Sequence, residues 1–146
     1  MVGRLRSGPL KELQAFYAAR ILPPPAIVEV EEKRSLPAGP LKIREGQLIL
    51  GALPSSIPLF ALDERGVQWS SRALAEQIAI WRDRGSPELA FAIGGADGLH
   101  STVLERADLI LSLGSMTWPH LLVRGMLLEQ LYRAQQILAG HPYHRG

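Results

Sequence analysis

The chain has 146 residues, 47% hydrophobic and 21% charged, a length that suits one domain and a composition that excludes intrinsic disorder and fibrous repeats. Zero cysteines exclude disulfides, thiol catalysis and thiolate metal sites together. The net charge is +2, and three of the 16 basic residues are lysine, the remainder arginine; arginine suits phosphates and stacked bases, but so sparse a charge excludes a dense duplex-binding stripe.

Ser7, Gly8 and Pro9 precede Leu10, Leu13, Tyr17 and Ile21 at helical spacing, which predicts a first helix ending before Pro23-Pro24-Pro25. Ala26 to Glu31 reads as a short strand and Arg34 to Pro40 as a loop. A second helix follows over Leu41 to Leu53, weakened by Gly46. Ile57 to Leu62 is an apolar run of strand length, and the polar turn Asp63-Glu64-Arg65-Gly66 is expected to end it.

Ser70 or Ser71 caps a third predicted helix with Leu74, Ile78 and Trp81 on one face and Gly85 at its stop. Glu88 to Ile93 is the next strand. Gly94-Gly95-Ala96-Asp97-Gly98 leads into a short helix near Ser101 to Arg106, Asp108 to Leu113 forms another strand, and Pro119 opens the longest helix, closed by Gly140. Strands alternating with helices predict a mostly parallel α/β sheet with helices on both faces, in one domain over residues 1–146. No apolar run reaches the roughly 18 to 20 residues of a bilayer span, and the start lacks a signal-peptide core, so a cytoplasmic protein free of membrane is expected.

In open α/β sheets ligands bind beyond the carboxyl ends of strands, so the loops after Leu62, Ile93 and Leu113 converge on one candidate site. Gly94 and Gly95 let backbone approach a ligand closely, although a glycine turn between strand and helix also serves simple geometry. The segment lacks the spacing of a dinucleotide fingerprint, and no Gly-Lys-Ser/Thr step exists for a P-loop. The longest helix carries Leu121, Val123, Met126, Leu127, Leu128, Leu131, Tyr132, Ala134 and Leu138 on different faces, which predicts a homodimer with this helix in the interface. Glu129 and Arg133 are spaced as an intrahelical ion pair. The tail His141-Pro142-Tyr143-His144-Arg145 lacks a third metal ligand, so no metal is expected; its rings and guanidinium suit unpaired RNA bases.

Four ordered blocks carry a resemblance: Ile93 to Leu99, Ser112-Leu113-Gly114-Ser115-Met116-Thr117-Trp118-Pro119-His120, Glu129 to Ala134, and His141 to Arg145. Together they resemble the bacterial 23S rRNA pseudouridine N3-methyltransferase family, a minimal SPOUT class, with weaker similarity through Val2-Gly3-Arg4-Leu5 and Glu12-Leu13 to Tyr17. The resemblance implies a trefoil-knotted fold, an exception to unthreaded topology. It implies S-adenosyl-L-methionine (AdoMet) bent among Leu62, Gly94, Gly95 and the loop Gly114, Ser115, Met116, Thr117, Trp118 and Pro119, and a ribosomal substrate. Family members open with an apolar strand before the Val-Gly step; here only Met1 precedes Val2, so either the start is assigned too late or an edge of the sheet is missing.

The mechanism implied is direct methyl transfer to N3, with His144 or Tyr143 taking the proton and Arg145 stabilising developing charge, the tail of one subunit completing the other's site. The competing readings are a non-catalytic RNA- or ribosome-binding module of the same fold, and a SPOUT enzyme acting on tRNA, which the tail disfavours by resemblance.

Overall fold

The computed structural model describes residues 1–146. In chain order the elements are α1 (Pro9–Ala18), α2 (Ala38–Gly51), β1 (Leu59–Gln68), α3 (Ser71–Asp83), β2 (Ala90–Ala92), α4 (Ser101–Arg106), β3 (Leu109–Ser112) and α5 (His120–Leu138). The three strands form one parallel sheet in the order β2-β1-β3. Chain-consecutive β2 and β3 thus lie on opposite sides of β1, the strand arrangement that creates a switch point at the sheet's carboxyl edge. Leu59, Phe60 and Ala61 are consecutive and all buried, so β1 is covered on both faces, as the continuous apolar run requires.

The chain groups into two compact units. The first comprises Met1–Arg4, Ile27–Gln68 and Glu88–His120 and contains the sheet with α2 and α4. Its core joins Ile49 of α2, Leu59 and Ala61 of β1, Ala92 of β2 and Val103 of α4 with Val2 and Leu99. The Asp108 carboxylate accepts the Leu59 N–H at 2.8 Å, and Arg106 donates to the Ile57 carbonyl at 2.6 Å. Both bonds fix where β1 and β3 begin.

Two differences from the expected elements have local causes. The segment Ala26 to Glu31 forms no continuous strand: Val30 makes a single parallel bridge with Val2. The Val2 N–H donates to the Ile93 carbonyl at 3.0 Å and the Gly3 N–H to the Val30 carbonyl at 2.8 Å, so the first residues are tied to both Ile93 and Val30. A strand needs repeated pairing along its length, and Ala26 to Glu31 has the one bridge alone. The second difference is β1, which does not stop at Leu62. Leu62 and Val67 both stand opposite Leu111, and Gln68 opposite Ser112, so Asp63 to Gly66 leave the ladder and the strand resumes beyond them.

The second unit comprises Leu5–Ala26, Trp69–Pro87 and Leu121–Gly146. The Ser70 hydroxyl accepts the Ala73 N–H at 3.0 Å and starts α3, as its sequence position predicts. Gly140, at φ +70°, follows the end of α5, a left-handed position suited to glycine. α1 meets α5 where a Cβ on Gly125 would stand 2.5 Å from the Leu13 Cδ2 atom. Arg124, beside that glycine, is fully buried and held by partners within the chain. No helix is long and apolar enough to cross a membrane.

Candidate functional site

Parallel neighbours emerge from one edge of a sheet, so the β2-β1-β3 order brings the chain beyond Leu62, Ala92 and Ser112 to the same rim. All three loops belong to the first unit. The first is Asp63 to Gly66. The Asp63 Oδ1 atom accepts both the Arg65 N–H and its Nε–H at 2.9 Å, closing an Asx-type turn. Hydrogen bonding to the Arg65 side chain holds the Asp63 carboxyl below its ordinary range despite partial burial. Gly66 passes so close to β3 that a Cβ there would lie 2.5 Å from the Ile110 carbonyl oxygen and 2.8 Å from the Leu111 carbonyl carbon.

The second loop contains Gly94 and Gly95, both buried. The Gly98 N–H donates to the Gly95 carbonyl at 3.0 Å, closing a tight turn with Gly98 at φ +82°. A Cβ on Gly94 would meet the Gly98 carbonyl carbon at 2.6 Å, and one on Gly95 would stand 2.6 and 3.1 Å from the Glu45 oxygens and 3.1 Å from Val2. Gly94 is therefore required by the backbone of the turn itself, whereas at Gly95 the nearest atoms belong to the movable end of the Glu45 side chain and to Val2. Glu45, on α2, was not among the residues expected at the site. Burial raises its carboxyl above the ordinary range, and the nearby Asp97 charge raises it further.

The third loop starts with Gly114 at φ +112°. The Ser112 hydroxyl accepts the Gly114 N–H at 3.1 Å and donates to its carbonyl at 3.0 Å. Ser115, Met116, Thr117, Trp118 and Pro119 are exposed, and Met116 leaves 72% of its surface open. The rim thus combines backbone polar groups, an exposed thioether and indole, and the exposed carboxylate of Asp97.

The tail residues lie in the second unit, and they are tied down. Tyr143 donates its hydroxyl proton to the Glu129 Oε1 atom at 3.1 Å, which also accepts the Arg133 Nε–H at 3.0 Å. The Tyr143 ring stacks edge-on to Tyr132 at 4.8 Å and lies under the Arg133 guanidinium at 4.8 Å. Burial, then the Glu129 carboxylate, pushes the Tyr143 phenol up to about 12. The Arg133 Nη1 group lies 3.2 Å from the His144 Nδ1 atom. A guanidinium only donates, so the contact requires an unprotonated Nδ1 on a neutral ring. Arg72 donates to the Gly146 carbonyl at 3.0 Å, while Arg145 is exposed and has no partner in the chain. The Glu129–Arg133 pair expected from spacing is therefore the anchor of the tail, a role that spacing alone does not reveal.

The family model described as "Predicted SPOUT methyltransferase" matches residues 1–144. The chain is 54% identical over 145 residues to a protein of Rhodospirillum centenum named "Ribosomal RNA large subunit methyltransferase H", an alignment covering 99% of this chain and 95% of that protein. Proteins of the same name from Paramagnetospirillum magneticum and Rhodospirillum rubrum are 52% and 51% identical, again over 99% of this chain and 95% of theirs.

Proposed function

The chain belongs to the SPOUT methyltransferase family, and we propose that it transfers the methyl group of AdoMet to N3 of a pseudouridine in 23S rRNA, on assembled ribosomes in the cytoplasm. The observation that carries this reading is identity of half or more, across nearly the whole chain, to proteins named as large-subunit rRNA methyltransferases. A single domain over residues 1–146 with the family's trefoil knot is part of the same proposal.

The rim residues suit AdoMet. Leu62, Gly94, Gly95 and the segment Gly114, Ser115, Met116, Thr117, Trp118 and Pro119 would hold it. The exposed Met116 and Trp118 offer apolar surface to an adenine ring, and the exposed Asp97 suits a cation better than a pyrophosphate. When bound, AdoMet supplies a methyl group already activated by its sulfonium charge, so the protein has mainly to align and to receive a proton. Alignment of two reactants contributes on the order of 7 to 11 kcal/mol at its limit.

Within the tail, the hydroxyl of Tyr143 is committed to Glu129 and is too weak an acid to serve as phenolate near neutrality. Tyr143 is therefore the anchor. His144 accepts the N3 proton at Nδ1 after its contact with Arg133 is exchanged for the base, and the unpaired Arg145 faces the developing charge or a phosphate. The tail acts on the donor site of a second copy. In the single chain Leu121, Leu122, Val123, Met126 and Leu131 of α5 are only half-buried, which suits a homodimer built on that helix.

AdoMet is expected to raise the melting temperature in a concentration-dependent way, by the equivalent of about 2.7 kcal/mol at a hundred times its Kd. A melting curve indifferent to AdoMet at millimolar concentration contradicts the proposal and favours a non-catalytic module of the same fold.

A further inference from the structure

Glu45 is largely enclosed and has no ion-pair partner, and its carboxylate oxygens keep some contact with solvent. It lies on the inward side of α2 with 9% of its surface exposed. Its oxygens press on the Cα side of Gly95, next to the Val2 methyl groups, and no hydrogen-bond donor meets them. Asp97, on the same turn, faces it with a like charge. From the start of α4, His100 packs on the adjacent Gly46, its Cβ 3.1 Å from the position a Cβ there would take. His100 is turned to its own helix, with Nδ1 2.9 Å from the Thr102 hydroxyl oxygen. Partial desolvation without a donor from the chain, and then the Asp97 charge, disfavour the ionised form of this carboxyl.

We propose that Glu45 is a positioning residue that, as a neutral acid, supports the Gly94–Gly98 turn from behind in its donor-binding shape. This rests on the reading of that rim as the AdoMet site. Ionisation of Glu45 puts a second negative charge beside Asp97 and draws the side chain toward water, which removes the turn's support. Donor affinity is then coupled to one proton. It is highest where Glu45 is neutral and falls as pH rises through the raised Glu45 pKa, by up to tenfold per pH unit. The donor-free protein carries the same linkage. Unfolding lets Glu45 ionise at its ordinary value, so stability declines with rising pH between that value and the raised one.

The test compares the parent, Glu45→Gln and Glu45→Ala by AdoMet calorimetry and by melting of the donor-free protein, both from pH 4.5 to pH 9. Glutamine keeps the shape and cannot ionise. The expected result is a Gln variant that binds AdoMet as tightly as the parent does at its acidic optimum, with a flattened pH profile in both measurements. The Ala variant binds at least tenfold more weakly at every pH. A parent profile that persists in Glu45→Gln, or a Gln variant as impaired as Ala, overturns the proposal. If not even the parent binds AdoMet at any pH, the assignment of the rim fails instead. The melting profiles then decide whether Glu45 supports the turn as a neutral acid.

Discussion

The phenol of Tyr143 reaches back along the chain to the Glu129 carboxylate, 3.1 Å away, and this bond joins the C-terminal tail to α5. Replacing Tyr143 with Phe removes one partly buried hydrogen bond while keeping the ring on Tyr132 and under Arg133. The expected cost is about 1 kcal/mol of stability, with weakened methyl transfer and unchanged AdoMet affinity. The Tyr143 phenol, pushed up to about 12, is expected to give a late tyrosine step in the ultraviolet difference spectrum of the parent that is absent from the Phe variant.

Arg145 has no structural role in the single chain, so its substitution separates chemistry from folding. Arg145→Ala is expected to melt like the parent and bind AdoMet like the parent, while methyl transfer falls by roughly a hundredfold, the loss typical of a missing electrostatic stabiliser. Undiminished transfer removes Arg145 from the mechanism.

Gly66 and Gly51 provide a matched pair. A Cβ on Gly66 meets backbone atoms of Ile110 and Leu111 below 3 Å, whereas one on Gly51 meets nothing within 4 Å. Gly66→Ala should therefore displace the Asp63 to Gly66 excursion and abolish AdoMet binding. Gly51→Ala should leave binding intact and melt at or above the parent's temperature, because alanine is the better helix former by about 1 kcal/mol.

Glu32 gives the acid limb of stability a separate signature. Hydrogen bonds from Arg34, with support from Arg44, lower its carboxyl from 4.5 to about 2. A depressed folded-state pKa contributes stability above 4.5 that is lost as pH falls toward 2. Glu32→Gln should flatten the stability curve over that acid range and leave its slope above pH 6 unchanged, as measured by denaturant unfolding.

The half-buried apolar side chains of α5 predict the oligomeric state. Sedimentation should give a dimer for the parent, and the double variant Met126→Glu/Leu131→Glu should sediment as a folded monomer without methyl transfer. A monomeric parent with full transfer contradicts tail donation between copies.

Local signals were readable wherever one residue decides an outcome. The Ser70 cap, the Gly140 stop and the strand starting near Leu59 follow from capping, left-handed backbone and apolar runs. The rim itself was readable, because alternating strands and helices already selected the loops after Leu62, Ile93 and Leu113. What the sequence concealed is non-local. The resumption of β1 at Val67 depends on Leu111 of another strand, and the packing of the Glu45 carboxylate on Gly95 joins a distant helix to the turn. Glu129 reads as half of an ion pair, yet its further partner Tyr143 lies in the tail. Spacing within a helix cannot report what the chain brings back to it.

The proposed activity is measured directly by methyl transfer from labelled AdoMet to ribosomes from cells lacking the modification, with the product nucleotide identified by mass spectrometry. The expected result is one labelled site per large subunit, a pseudouridine carrying the methyl group on N3. Label on another nucleotide, on tRNA, or on no RNA at all contradicts it.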